Sequence, residues 1–207
     1  MERRKLGLLG FAAIALAAIS LAALQFTNVT NWSINATLPP AMKYAGADTG
    51  ITGRSDSSGY SNYIYVTYYY DPNTGLNITE ISIVGFTGDV TNYTNALQVC
   101  NYHYNGPLTV YITYIGPVSG SQYQQYVDQF VVYNPNNPGQ WVGFNSEGSK
   151  NTGPISLGTI SQGQCIPLGV SVLVNPSAYS TNSANNLANG KIALATYEVD
   201  ITFSAQS

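Results

Sequence analysis

Charged side chains are scarce in this chain of 207 residues. Asp, Glu, Lys and Arg make up 8% of the sequence, whereas they form about 25% of an average soluble protein. The basic residues form no patch, so a nucleic-acid partner is not expected. The surface must instead be covered by Asn, Thr, Ser, Gln, Tyr and attached sugar.

Histidine is limited to His103, which restricts the chemistry that the chain can support. A hydrolase triad needs a histidine held by a carboxylate beside a nucleophile, and no serine lies in a GxSxG context. His103 lies in the tyrosine-rich stretch NYHYN and is interpreted as structural. The Asp71–Gly75 turn lacks the later acidic ligands of a calcium loop. We expect no enzymatic activity, no metal and no cofactor.

Two further chemical interpretations rest on clusters of one residue type. Glu198 and Asp200 share a strand face, as paired carboxylates of a glycosidase could, but a solvated outer face explains them more simply. The 17 tyrosines could form a sugar-binding platform. We interpret them instead as core and surface residues of a β-rich protein.

Cysteine is limited to Cys100 and Cys165. An even count in an exported chain predicts a disulfide, which would close a loop worth about 4 kcal/mol in the chain-entropy model. Two buried free thiols and half of a metal site are the alternatives. The metal alternative is weak because no CxxC motif is present.

The first 23 residues resemble a secretory signal peptide. Arg3, Arg4 and Lys5 precede an apolar run, and small residues end it near Ala23, after which cleavage is predicted. Removal lowers the basic count from seven to four and the acidic count from ten to nine, leaving a net charge of −5. An uncleaved membrane helix is the alternative. A type IV pilin does not fit, because Lys5 is followed by leucine.

The stretch Leu24–Leu38, which follows this leader, is predicted to be a donor strand that completes the sheet of another copy of the chain. It is about 50 Å long when extended, and from Trp32 it alternates with the period of two that a half-buried strand shows. The residues assigned to the pockets of the neighbouring subunit are Leu24, Phe26, Trp32, Ile34, Ala36 and Leu38. Three N-glycosylation sequons overlap the stretch and two follow later, at Asn28, Asn31, Asn35, Asn77 and Asn92.

Residues 41–207 are predicted to form an all-β sandwich, jelly-roll-like, behind an elbow at Pro39-Pro40. Tyr60–Tyr70 reads as a central strand, and its partner Leu76–Phe86 as a strand with a bulge near Thr79-Glu80. Asn105-Gly106 predicts a hairpin between its flanking runs. Further strands are predicted at Gln125–Tyr133, Trp141–Phe144, Ile155–Ile160, Ile166–Val174 and Lys191–Phe203. The chain thus divides into a signal peptide (1–23), a donor-strand tail (24–40) and a sandwich (41–207).

This order of leader, alternating tail, proline elbow and β-sandwich resembles the archaeal thread and bundling-pilus subunits, which are similar to TasA-type biofilm matrix fibre proteins. The resemblance is one of layout over the whole chain. It implies an extracellular cell-surface filament of identical subunits joined by donor-strand complementation, coated with N-linked glycans. It also implies a role in adhesion and biofilm formation, with neighbouring filaments or surfaces as further partners. The membrane is contacted only through the leader before cleavage.

Other interpretations remain open at this point. Leu24–Leu38 could pair with its own domain, which would give a monomeric secreted module, S-layer-associated or carbohydrate-binding, or it could be a disordered glycosylated stalk. Lys43, Lys150 or Lys191 could form an isopeptide crosslink with an asparagine, as some extracellular pilus proteins do. Nothing in the sequence locates the partner of such a crosslink.

Overall fold

The computed structural model of the chain describes residues 41–49, 64–72, 76–179 and 193–205. The predicted leader and the predicted donor-strand tail lie outside these ranges. Within them more than half of the residues lie in strands, and all neighbouring strands pair antiparallel. The prediction of an all-β fold is therefore confirmed. Over the same ranges, no helix is long and apolar enough to cross a membrane.

Strands account for nearly every element of the described ranges. Two short 3-10 turns, Gln124–Tyr126 and Pro176–Ala178, flank the sixth and tenth strands. The strands are β1 (Met42–Ala45), β2 (Ile64–Asp71), β3 (Leu76–Ile83), β4 (Thr91–Cys100), β5 (Leu108–Pro117), β6 (Val127–Asn134), β7 (Asn137–Phe144), β8 (Lys150–Asn151), β9 (Ile155–Ile160), β10 (Cys165–Val174) and β11 (Tyr197–Ala205).

The strands form three sheets. The six-stranded sheet has the order β1-β4-β10-β6-β7-β8, the three-stranded sheet has the order β11-β5-β9, and β2 and β3 form a separate hairpin. Strands that are distant in sequence lie side by side in the larger sheets, so most of the pairing is non-local.

The central strands owe their position to alternating apolar residues. In β10 the alternate residues from Ile166 to Val174 are all buried. Val170 pairs with Val132 of β6 and with Tyr93 of β4, and all three side chains are buried. Burying one such aliphatic side chain stabilises the fold by about 1.5–3 kcal/mol, so these rows hold the six-stranded sheet against the rest of the core.

The three-stranded sheet and the end of the hairpin contact the same face of the six-stranded sheet. Phe130 and Val172 are cross-strand partners on that face. The Phe130 ring centroid lies 4.6 Å from that of Tyr197 in β11 and 6.3 Å from that of Tyr114 in β5. Gly85, just after β3, lies against Val172, because a Cβ atom on Gly85 would come within 2.9 Å of Val172 Cγ1. Residues from both smaller groups of strands therefore contact this face of the six-stranded sheet.

The hairpin predicted at Asn105-Gly106 is not formed. Its flanking runs became β4 and β5, which belong to different sheets. The Asn101 side-chain amide is fully buried and donates a hydrogen bond to the carbonyl of Gly106 at 2.9 Å, while Tyr104 N–H donates to the Asn101 amide oxygen at 3.0 Å. This turn carries the chain from one sheet to the other, because β1 and β10 already occupy both sides of β4.

Two expectations for the tyrosine-rich segment are also wrong. Among the described strands β2 pairs with β3 alone, and Tyr65, Tyr68 and Tyr69 are about half exposed, so β2 is not a central strand. A run of β-forming residues on both faces is therefore no proof of burial, since the tyrosine hydroxyl can remain in water. The register of β3 is continuous past Thr79 and Glu80, so no bulge exists there.

Candidate functional site

The predicted disulfide between Cys100 and Cys165 is present. It joins neighbouring strands β4 and β10 at one end of the six-stranded sheet, where the two residues are direct cross-strand partners. Met42 of the edge strand β1 also pairs with Cys100. The crosslink therefore lies beside Met42, the first residue of β1.

The predicted glycosylation residues fall mostly outside the described side chains. Asn92 lies in β4 and is exposed, so the structure leaves its side chain accessible. Asn77 lies in β3, where its backbone pairs with Tyr70. Asn28, Asn31 and Asn35 lie outside the described residues, as do the predicted pocket residues Leu24, Phe26, Trp32, Ile34, Ala36 and Leu38.

An acceptor for an added strand must be a strand edge with free backbone groups beside an apolar surface. The six-stranded sheet ends in β1 with four residues and in β8 with two, and both are short for such a purpose. The three-stranded sheet ends in β9 and β11, with six and nine residues. Of the edges of the two larger sheets, these two longer ones are therefore the candidate sites.

The edge formed by β9 is closed by side chains. The buried amide of Asn134 donates to the Leu157 carbonyl at 3.2 Å, and the buried amide of Asn101 lies 3.4 Å from the Ile160 carbonyl. The inward side chains Leu157 and Ile160 are buried. β9 therefore offers neither free carbonyls at these two residues nor an uncovered apolar row.

The edge formed by β11 is open among the described residues. β5 occupies one side of β11, and no described strand pairs with the other side. Its apolar residues alternate with exposed polar ones, and each apolar side chain is only partly buried against the core. These residues, here called the β11 row, are Tyr197, Val199, Ile201 and Phe203.

The neighbouring residues of β5 show how incomplete the cover over the β11 row is. Val110, Ile112 and Tyr114 pair with Phe203, Ile201 and Val199, and each of these β5 residues is at most 3% exposed. The β11 side chain in every one of these pairs is only half-buried. The apolar side chains continue from β5 onto β11, but their full burial stops at β5.

An aromatic cluster fixes the beginning of β11. Tyr197 stacks on Phe130 and has an edge contact with Phe144, with ring centroids 4.6 Å and 5.5 Å apart. Burial and, to a smaller degree, the neighbouring Tyr114 raise the pKa of the Tyr197 hydroxyl from 10.0 to about 12. Tyr197 therefore keeps its proton in neutral and acidic solution, and its ring contacts attach the start of the β11 row to β6 and β7.

A partly buried lysine interacts electrostatically with β11. Lys43 of β1 pairs with Val99, a buried core residue. The Lys43 side chain therefore lies on the same, core-facing side of the six-stranded sheet as Val99. Burial lowers the pKa of Lys43, while the carboxylate of Asp200 on β11 acts in the opposite direction. The charges of Lys43 on β1 and Asp200 on β11 therefore act on each other.

The chemistry-bearing residues of the described ranges are not brought together. No group of three or more His, Cys, Asp or Glu side chains among them could hold a metal ion. His103 is exposed, and Glu198 and Asp200 are exposed on the outer face of β11. What the sequence reasoning missed was the open edge, because the residues of β11 read as an ordinary strand and only its neighbours decide whether it is covered.

Two comparisons by sequence return no match. No protein-family model matches the chain, and no curated protein is similar to it in sequence. The functional assignment therefore rests on the residues and on the geometry of the open edge.

Proposed function

We propose that the chain is the structural subunit of an extracellular, N-glycosylated filament that grows head-to-tail by donor-strand complementation. Its role would be in adhesion and biofilm formation rather than in catalysis. One observation carries this proposal: no described strand pairs with the outer side of the nine-residue strand β11, and its apolar row is only partly buried. The Leu24–Leu38 tail has the alternation, and lacks the charges, that a strand filling such a place needs.

An open edge beside an apolar row is a liability for an isolated molecule. Unpaired N–H and C=O groups and uncovered side chains invite pairing with another chain. A tail from a second subunit supplies the missing hydrogen bonds, and its side chains in the apolar slot set the register. A head-to-tail contact that does not close on itself produces an open fibre.

The sandwich belongs to the same proposal. We infer that the hairpin and the three-stranded sheet together form the second layer of a sandwich over the six-stranded sheet. The contacts of Phe130 with Tyr197 and of Gly85 with Val172 support this arrangement. The second layer is then interrupted between its two groups of strands, and an incomplete sandwich of this kind is what donor-strand assembly requires.

A matched pair of tail variants tests the filament in unglycosylated protein. Ile34→Asp would place a charge in the slot, and Asn35→Asp would place the same charge on the opposite face of the same strand. Because burying an unpaired carboxylate is strongly unfavourable, Ile34→Asp is expected to abolish fibres in negative-stain electron microscopy. Asn35→Asp should still form them. Wild-type protein that remains monomeric at high concentration, or equal behaviour of the two variants, would contradict the proposal.

A second candidate function is supported by the exposed tyrosines of β2. Tyr65 and Tyr69 lie on one face of the strand and are about half exposed, as the stacking residues of a carbohydrate-binding module would be. In that case the protein would be a monomeric secreted module. Tyr65→Ala should then reduce binding to polysaccharides in a pull-down assay, with Tyr179→Ala, an exposed tyrosine outside the hairpin, as the control.

A further inference from the structure

The open edge can be assigned to a specific pairing. Resting on the filament proposed above, we infer that the tail of a second copy pairs with the outer edge of β11 and lies between β11 and the β2–β3 hairpin. The inserted strand would join the hairpin and the three-stranded sheet into one continuous layer.

The first step is the selection of β11 over the other edges. Of the four edges of the two larger sheets, β1 and β8 are short, and β9 is closed by the Asn101 and Asn134 amides. Only β11 combines nine residues, a free side among the described strands and a half-buried apolar row.

The second step is the match between the two apolar rows. The β11 row has four apolar residues at every second position. The tail has four apolar residues with the same spacing from Trp32 to Leu38. Neighbouring strands place such residues on the same face of the sheet, about 4.5–5.5 Å apart, so the tail row extends the β11 row over the core.

The third step concerns charge. Leu24–Leu38 contains no Asp, Glu, Lys or Arg, so its insertion buries no ionised group. The charged residues beside the slot are Lys43 on β1 and the outward-facing Glu198 and Asp200 on β11. None of them belongs to the β11 row, and the slot therefore suits an uncharged strand better than a charged peptide.

The fourth step is the size of the completed layer. The three-stranded sheet and the hairpin contain five strands, and the opposite sheet contains six. The hairpin packs on the core through Ile64, Val66 and Ile81, and the segment that follows it touches Val172. One added strand next to β11 makes the two layers equal in number.

The fifth step is the choice of a second copy over the chain's own tail. Pro39 and Pro40 hold the preceding residues extended, and β1 begins at Met42. At about 3.3 Å per residue an extended tail of this length is long enough to reach a neighbouring molecule.

Cysteine crosslinking between full-length chains tests this assignment. Thr202 and Ser156 are both exposed and flank Tyr111 in the same cross-strand row, one on β11 and one on β9. One set of chains is unlabelled and carries Thr202→Cys or Ser156→Cys. The other set is isotope-labelled and carries a tail cysteine, at Ser33→Cys, Asn35→Cys or Thr37→Cys. The two sets are refolded together and then oxidised mildly. Mass spectrometry of the digested product identifies each crosslinked peptide pair.

Docking raises the local concentration of the tail at one edge, so Thr202→Cys is expected to crosslink to at least one tail position with about tenfold greater yield than Ser156→Cys. Higher yield at Ser156→Cys, or equal yield at both positions, would overturn the assignment to β11. Self-insertion is tested with a chain that carries both Thr202→Cys and a tail cysteine and is diluted into wild-type protein. If the main product is a monomer crosslinked within itself, the tail comes from the same chain and the inference of a second copy is wrong.

Electron microscopy of the same samples separates this assignment from the filament itself. Fibres without a Thr202→Cys crosslink mean that subunits assemble through another edge, which refutes the assignment and leaves the filament intact. Absence of fibres together with absence of crosslinks contradicts both.

Discussion

The two edges of the three-stranded sheet are built from similar residues and differ in what covers them. On β9 the isoleucine at 160 is buried, and an asparagine amide faces the carbonyl of the same residue. On β11 the isoleucine at 201 is half-buried, and its edge faces no described strand. Both strands pair with β5, so the difference arises from their surroundings. Among the described residues, side-chain amides cover the β9 edge, whereas no strand covers the β11 edge.

The largest expected loss of stability comes from the covered β9 edge. Ile160→Ala should lower the free energy of unfolding by about 3–4 kcal/mol, because a fully buried isoleucine leaves a cavity when it is truncated. Urea denaturation followed by circular dichroism measures the change, in the Ile34→Asp background that is expected not to form fibres. A loss no greater than that of Ile201→Ala would mean that the two edges do not differ.

A slightly smaller effect is expected from the amide that closes β9. Asn101→Ala should cost about 3 kcal/mol, since it leaves the Gly106 carbonyl and the Tyr104 N–H without their partner in a partly buried turn. Asn105→Ala, in the same turn and exposed, is the control and should change stability by less than about 0.5 kcal/mol. Similar losses for both variants would show that the turn, and not the buried amide, matters.

The open edge should respond differently before and after assembly. Ile201→Ala is expected to cost only about 1 kcal/mol in the unassembled protein, because its side chain is only partly buried there. In fibres the same substitution should have the effect of a buried truncation and lower the denaturant concentration at which they dissociate. The comparison of unfolding and fibre-dissociation midpoints measures this. Equal losses in both states would indicate that nothing covers β11 in the fibre.

The smallest effect is one of pH. The pKa of Tyr197 is about 12 in the folded chain and 10.0 in the absence of burial. The folded state therefore holds its proton more tightly than the unfolded state. Stability is unaffected by this group below pH 10 and falls as the pH rises from there through about 12. Tyr197→Phe should reduce this decline in alkaline urea denaturation, and an unchanged decline would show that Tyr197 is not the group responsible.

The sequence predicted most of the strands because their alternation is local information. Ile155–Ile160 is found with the predicted bounds, and the long alternating run ending at Val174 is β10. The two cysteines pair as expected. The existence of a strand can be predicted because it depends on a periodic pattern within the strand. The disulfide can be predicted because each cysteine has only one possible partner.

The pairing of strands could not be predicted in the same way. Asn105-Gly106 has the composition of a tight hairpin turn, yet the neighbours of β4 are β1 and β10, which are far away in sequence. The β2 tyrosines suggested burial that the fold does not provide. Whether an edge such as β11 is covered depends on every other strand at once, so the acceptor could be proposed only after the topology was known.

The position of the Cys100–Cys165 crosslink has a mechanical consequence. If subunits are strung together by their tails, tension reaches each one through residue 41 and first loads Met42, whose partner in the sheet is Cys100. The covalent bond passes that load directly to β10 in the middle of the six-stranded sheet. Stretching such a fibre would therefore load the contacts between the tail of one subunit and the next subunit before it could separate β4 from β10.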